Sequence, residues 1–454
     1  MEAETWHTRG PVATSRFRRL VVFLGPALAA VTMAGAVALG LGLPHWEDSL
    51  PKVGLTYDPT TASTTLAAIA GGMITLSGFV ITAVTLVIQT VQNMSPRLIG
   101  VIDHFRRSLA IVGLVTGTAV YALLVLAQIR PDEIPRLSVT VAVVLVVIDT
   151  AVLLRSLTGL RHFVTGGGLA RAVGELMPAS IDAALPPSGT AAAPGAEMWA
   201  SGPGLPLVHT GRSGVVQGVD ERRLVRIATG WDARVALDVV PGDYVCVGSV
   251  LGYVHGLAGA REAHGSGLRR LASCVRVDQV RSIHQDPAYG LRLLVDIAIR
   301  ALSPAVNDPT TAVQALDQIE ETLVRIVTRP LGVTLVADGK GTPRLRRSAP
   351  AWPGLVSLAL DEILHYGATS LQVVRRLRVV LDTVAGAAPD HRQAPLVERI
   401  AVVDRIAHAF RDPLLTSVAK GADRQGLGGA GAPPDPLQPS SSRDPSAGPR
   451  TTPR

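Results

Sequence analysis

Lysine is almost missing from this sequence: it stands only at positions 52, 340 and 420, so nearly all the positive charge is arginine. Aromatic residues make up 4% and charged residues only 17% of the 454. With a mean hydropathy of +0.32 the chain is too apolar for an ordinary soluble protein of its length, and its apolar residues crowd into the first third. The pI of 9.9 invites a nucleic-acid reading. No basic run interleaved with aromatics supports it, and many arginines instead flank apolar segments or lie in the C-terminal tail, so no nucleic-acid partner is expected. Cysteine is also scarce. Cys246 and Cys274 have no CxxC spacing and no nearby histidine cluster, and read as reduced structural thiols. The bias toward Arg, Ala, Gly and Pro suggests a GC-rich bacterial genome.

Catalytic signatures are missing too. There is no H-E-x-x-H, no G-x-x-x-x-G-K-[ST] and no G-x-S-x-G after a strand. Histidines such as His104, His162, His284 and His365 are scattered without ligand spacing. His284 and Asp286 are close in sequence, but one such pair is weak evidence for acid–base chemistry. The chain is expected not to be an enzyme, and no metal or cofactor site is read in it.

Long apolar runs are what the sequence does have. They cover Leu20–Leu43, about Ala62 to Val91, Ser108–Ile129 and Leu137–Leu157. Each reaches the roughly 20 residues that cross a bilayer core. The first is too long for a signal-peptide core and no A-x-A-like site closes it, so it reads as an uncleaved helix. Arg9, Arg16, Arg18 and Arg19 precede it, Arg97, Arg106 and Arg107 follow the second run, and Arg155, Arg161 and Arg171 follow the fourth. The other two loops balance Lys52 against Glu47, Asp48 and Asp58, and Arg130 and Arg136 against Asp132 and Glu133. The positive-inside rule then expects both termini in the cytoplasm of a multi-pass bacterial inner-membrane protein, as an even number of spans requires.

The second run carries a polar stripe. Thr75, Gly78, Thr82, Thr85, Gln89 and Gln92 follow one another in steps of three and four, on one helix face. Ile74, Leu76, Val80, Ile81, Val84 and Val87 are apolar and can face lipid or neighbours. Two readings stand: the stripe lines a water-filled path in an oligomer, or its small and hydroxyl residues let helices pack closely. Asp149, inside the fourth run, is a second anomaly, because an intramembrane acid usually faces a bundle interior or a cavity. It could equally be protonated or hydrogen-bonded with a structural role, and Arg155 could reach back toward it.

Residues from Thr165 to Pro206, rich in Gly, Ala, Pro and Ser, read as a linker. Ser213–Val219, Arg222–Ile227, Arg234–Val239 and Tyr244–Tyr253 read as short strands. The turn–strand–turn texture of Val240–Gly248 is similar to the sandwich barrel of biotinyl and lipoyl carrier domains. Those need a lysine at a hairpin tip, and none occurs between Val53 and Gly339. Such a barrel would be a structural adaptor. Asp286-Pro287 and Asp308-Pro309 each place a capping acid before a helix-starting proline. The first helix is expected to bury Leu291, Leu294, Val295, Ala298 and Leu302 beside a ladder of Arg292, Asp296 and Arg300. The second is expected to bury Val313, Leu316, Ile319, Leu323 and Ile326. Longer helices are expected near Gly354–Val384 and Leu396–Phe410. Between the capped helices, Ser303, Asn307 and Asp308 lie in a proline-bounded turn that reads as a structural corner or as a ligand or subunit contact.

The expected fold class is an α-helical membrane protein with four transmembrane helices, followed by a cytoplasmic α+β region with a small β-barrel-like part and a helical part. The expected divisions are a cytoplasmic arm (1–19), the membrane domain (20–160), a linker (161–206), a β-rich domain (207–260), a helical domain (261–415) and a disordered tail (416–454).

Ser95-Pro96-Arg97, Gln285-Asp286-Pro287-Ala288-Tyr289-Gly290-Leu291 and the turn from Leu302 to Pro309 together resemble a bacterial family of predicted membrane proteins without assigned function, domain of unknown function 2254. The resemblance covers most of the chain except the N-terminal arm and C-terminal tail. It implies membrane localisation and this domain order, and supplies no catalytic residues. Two functions are expected from the residues themselves. One is an oligomeric, channel-like protein in the lipid bilayer, with an ion or small ligand on a path lined by Thr75, Thr82, Thr85, Gln89 and Gln92. The alternative is a membrane-anchored sensor or scaffold whose cytoplasmic helices bind a partner or small ligand.

Overall fold

A computed structural model describes residues 15–47, 54–94, 97–98, 104–130, 134–164, 167–188, 204–257 and 265–428. Most of the expected arm, part of the linker, Ser95, Pro96 and the tail beyond residue 428 lie outside the described residues.

Four helices come first: α1 (Ser15–Glu47), α2 (Pro59–Met94), α3 (His104–Leu126) and α4 (Arg136–Val164). Each contains a stretch long and apolar enough to cross a membrane: Ala27–Glu47, Pro59–Gln92, Leu109–Leu126 and Arg136–Ser156. In α3 the small residues Gly113 and Gly117 let α1 approach at backbone distance. A Cβ on Gly113 would stand 2.5 Å from Ala29 Cα, which is how helices gain contact in lipid, where apolar burial drives little. Against α2, α3 sets Tyr121, Ala122 and Val125 beside Ala62, Leu66 and Ala70. Farther along, the Ser77 and Thr116 hydroxyls share a 3.0 Å hydrogen bond. At one end of the bundle the Glu47 carboxylate accepts from the Leu137 and Ser138 N–H groups, occupying donors that the start of α4 leaves unpaired.

The remaining elements form a mixed α/β region. Helices α5 (Gly168–Gly174) and α6 (Met177–Ala184) precede strands β1 (Leu205–Val208) and β2 (Gly214–Val219), helix α7 (Glu221–Gly230), and strands β3 (Arg234–Leu237), β4 (Tyr244–Val245) and β5 (Val250–His255). Then come α8 (Ser266–Ala272), β6 (Val275–Asp278), α9 (Pro287–Ala301), α10 (Pro309–Ile326), β7 (Val333–Ala337) and β8 (Pro343–Ser348). The last elements are α11 (Trp352–Tyr366), α12 (Leu371–Ala387), a 3₁₀ turn, α13 (Ala394–Ala409) and α14 (Pro413–Lys420). The described strands make two open sheets, ordered β1-β5-β3-β8-β7 and β4-β2-β6. All pairings are antiparallel except β3 with β8.

The α9 and α10 starts are as the sequence reads them. Asp286 accepts from Tyr289 N and Asp308 from Thr311 N, each with proline at the next position. All five residues expected on the buried face of α10 are buried, as are four of the five on α9, with Leu302 partly buried.

Four local readings need correction. Arg222–Ile227 belongs to a helix, α7, capped by Asp220; Leu224, Val225 and Ala228 are buried at helical spacing while Arg222, Arg223 and Arg226 are exposed. The stretch read as linker holds α5 and α6, whose Leu169, Ala170, Val173, Met177 and Ile181 join the main core. Their spacing of three and four survives within a Gly- and Ala-rich composition that looks like a linker. The long helix expected near Gly354–Val384 is two, α11 and α12, because Ser370 opens a new helix by accepting from Val373 N. The part read as helical also supplies the β7–β8 hairpin, which completes the larger sheet.

The start of the expected tail is ordered. Asp423 accepts from Gly426 N and Gly428 N, and the fully buried Arg375 of α12 donates to the carbonyls of Gly421 and Gly428. A guanidinium at 2% exposure needs such acceptors, because an unpaired buried charge is very costly.

Candidate functional site

The second helix, like α4, reaches both halves of the molecule. Its 36 residues rise about 54 Å at 1.5 Å per residue, so roughly 24 Å extends beyond a bilayer core of about 30 Å. Its C-terminal end packs on the C-terminal region. Val91 and Leu98 are buried in the same core as α5, α9, α10, α11 and α12, and Val87 packs against it. Thr75 lies near the middle of the helix, with Thr82 and Thr85 following toward its C-terminal end. Gln89 and Gln92 stand beyond them, level with the C-terminal core.

Every residue of the polar stripe, Thr75, Gly78, Thr82, Thr85, Gln89 and Gln92, is exposed. The face packed on α3 and α4 lies directly opposite and includes Ala62, Leu66, Ala70, Met73, Ser77 and Val80. Phe79 and Leu86 flank the stripe on one side and Ile74 and Ile81 on the other, all well exposed. Gly71, Gly72 and Gly78 have open space where a Cβ would stand. The Thr75, Thr82 and Thr85 hydroxyls donate to the carbonyls of Gly71, Gly78 and Ile81 at 2.9–3.0 Å. Their donors are therefore satisfied within the helix, and their oxygens remain free to accept. An amide has no such local solution, and the exposed Gln89 and Gln92 side chains project where water reaches.

Where α2 meets the C-terminal region, a chain of charges begins. Arg97 donates to Asp296 Oδ2 of α9 at 2.8 Å. Arg292, one turn earlier on α9, donates its Nε to Asp296 Oδ1 at 2.7 Å and also binds the Glu362 carboxylate of α11. The hydrogen bonds from Arg292 hold Glu362 below its usual range. The neighbouring Asp361 is pushed up by burial, but its bonds to Arg399 and Ser357 outweigh this and hold it low. Asp361, His365, Glu398 and Arg399 rim a groove of about 500 Å³ between α11 and α13, with Leu364, Val402 and Ile406 lining it. The sequence shows the Arg292–Asp296 step as a helical i, i+4 pair; Arg97 and Glu362, 199 and 70 residues away from their partners, carry no local signal.

The other singled-out residues fall elsewhere. Asp149 is fully buried in α4, facing α3. In the turn between α9 and α10, Ser303 Oγ donates to Arg300 O, and Asn307 adopts a positive φ of 47° with its N–H on Ser303 O. Asp308 is occupied by both the N–H and the hydroxyl of Thr311. Among the described residues no group of three or more His, Cys, Asp or Glu could hold a metal.

A family model described as "Predicted membrane protein (DUF2254)" matches residues 19–383, from the first span through most of α12. The chain belongs to this family. Similar curated proteins include uncharacterized proteins of Mycobacterium tuberculosis and Mycobacterium bovis, each 28% identical over 426 residues, covering 89% of this chain and 81% of the relative. No solved structure matches the chain. The family motifs acquire structural roles here. Gln285 accepts from Val219 N at 2.7 Å and donates to Val219 O, clamping β2 to the start of α9. Arg281 binds Asp286 at 2.7 Å and lies over the Tyr289 ring. Gly290 makes room for Met177: a Cβ there would lie 2.2 Å from its Sδ, so an alanine would have to displace that side chain.

Proposed function

We propose that this DUF2254 protein is an oligomeric, channel-like inner-membrane protein. Its α2 helices would gather with Thr75, Thr82 and Thr85 toward a hydrated path, and Gln89 and Gln92 would line the path's mouth. Both termini and the whole α/β region then lie in the cytoplasm. The observation that carries this reading is the stripe itself: polar, exposed in one copy, and opposite the face that α2 uses within its own bundle. Hydroxyl oxygens with spare acceptor capacity and amide side chains suit a partly hydrated ion. One copy supplies one such helix, so a closed path needs several.

The test is ion flux through liposomes carrying the full chain. Thr82→Val and Gln89→Leu change the lining and leave the buried face alone, and each is expected to alter flux while the protein stays folded. Unchanged flux in both variants contradicts this lining.

A second reading, a membrane-anchored sensor, is favoured by the α11–α13 groove beside the Glu362–Arg292–Asp296–Arg97 chain. A small ligand or partner bound at the groove would reach α2 through these charges. Ligand binding that survives while no flux is found would select this reading. The full chain is the right material, because a fragment starting at residue 205 would lack α5 and α6 and expose the core they cover.

A further inference from the structure

Asp149 has no exposed surface, and neither carboxylate oxygen has a hydrogen-bond partner among the described residues. Helices α1, α2, α3 and α5 all pack against α4. In their described parts, α2 and the bilayer-depth portion of α3 carry no Lys, Arg, His, Asp or Glu. Helix α1 brings His45 and Glu47 at the opposite end of α4, where Glu47 is engaged by Leu137 and Ser138, and carries Arg16, Arg18 and Arg19 in its first turns. Helix α5 brings Arg171 beyond the other end, with Glu175 just after it, and on α4 itself Arg155 lies six residues farther on, exposed. The polar side chain next to Asp149 is the hydroxyl of Thr118 on α3, itself 2% exposed.

An ionised carboxylate here has no exposed surface and no counter-charge beside it among the described residues, a state that costs several kcal/mol. Two ligands could relieve it. A divalent cation needs about six oxygens or more, and among the described residues no group of three or more His, Cys, Asp or Glu gathers to supply them. A proton needs one oxygen, and it turns the side chain into a donor for which the Thr118 oxygen is an acceptor. We propose that Asp149 is an intramembrane proton-binding site, neutral in the resting bundle, with Thr118 of α3 as the acceptor that its O–H would engage. On release the proton passes to a water molecule and the bonding electron pair stays on the carboxylate. The new charge then has to be hydrated, so water enters the α3–α4 seam and loosens it. This site does not depend on what the α2 stripe lines.

The test is infrared spectroscopy of the full-length protein in nanodiscs, with carbon-13 in the aspartate carboxyls. At neutral pH the wild type is expected to show a protonated-carboxyl band that the label shifts. Asp149→Asn, nearly isosteric and still able to bond Thr118, should lose that band. In Thr118→Val the band should move to higher frequency, because its hydrogen bond is gone. No label-sensitive band in the wild type, or a band that survives Asp149→Asn, overturns the proposal. If Asp149→Asn fails to fold, the Thr118→Val spectrum decides: an unmoved band also overturns it.

Discussion

Severing the junction between α2 and α9 separates stability from coupling, because its two arms are buried unequally. The Arg97 side chain is 59% exposed and Asp296 only 11%. A pair so open on one side is screened, and Arg97→Ala should cost less than about 1 kcal/mol. Asp296→Ala also strips the 2.7 Å bond from Arg292, whose side chain is 23% exposed and retains only Glu362, at 46%. Losing a charged hydrogen bond in that setting costs about 1.5–3 kcal/mol. The better helix propensity of alanine offsets about 0.5 of this, leaving about 2 kcal/mol. For a region of this size that corresponds to roughly 4–8 °C in thermal midpoint. The assay is thermal unfolding of both variants in the same detergent, with amide hydrogen exchange over residues 91–98. Arg97→Ala should speed exchange there with almost no change in midpoint, whereas Asp296→Ala should do both. An Arg97→Ala midpoint as low as that of Asp296→Ala would refute the reasoning, as would unchanged exchange in both.

Gln285→Leu removes both bonds to the Val219 backbone and leaves that buried N–H unpaired, so it should cost about 2 kcal/mol and raise exchange across β2. Gly290→Ala should destabilise by about 1–3 kcal/mol through overpacking, and Met177→Ala in the same chain should recover part of that loss; a purely additive double variant would contradict the contact. At mildly alkaline pH a thiol reagent should modify the exposed Cys246 and spare Cys274, which burial pushes up to about 11, as peptide mass spectrometry would show. Glu362 binds its proton less readily folded than unfolded, so its contribution is present at neutral pH and lost as pH falls below about 4. Glu362→Gln should therefore flatten part of the acid limb of the thermal-midpoint profile.

Much of the architecture is legible in the sequence where one local signal is strong and unopposed. The spans follow from length and hydropathy. The starts of α9 and α10 follow from Asp-Pro pairs whose chemistry is entirely local. Elements were misread where two signals conflict. In α7, Val225 and Ile227 suggest a strand, and only the Asp220 cap and the exposed Arg222, Arg223 and Arg226 reveal a helix. In α5 and α6 glycine and proline mask a helical spacing that tertiary contact with α9 and α10 makes stable. The β7–β8 hairpin joins β3 in parallel across more than a hundred residues, a pairing no local pattern announces. The polar stripe itself is legible from spacing alone, but its exposure, and the fact that its lower part stands level with the C-terminal core, require the packing of Val91 and Leu98.

The central claim is that the exposed face of α2 meets its counterparts in other copies around a shared path. Native mass spectrometry of the full-length protein released from lipid nanodiscs tests it most directly. One defined assembly of about four or more copies is expected, since fewer α2 helices cannot enclose a hydrated ion path. A monomer or dimer as the sole species would contradict it.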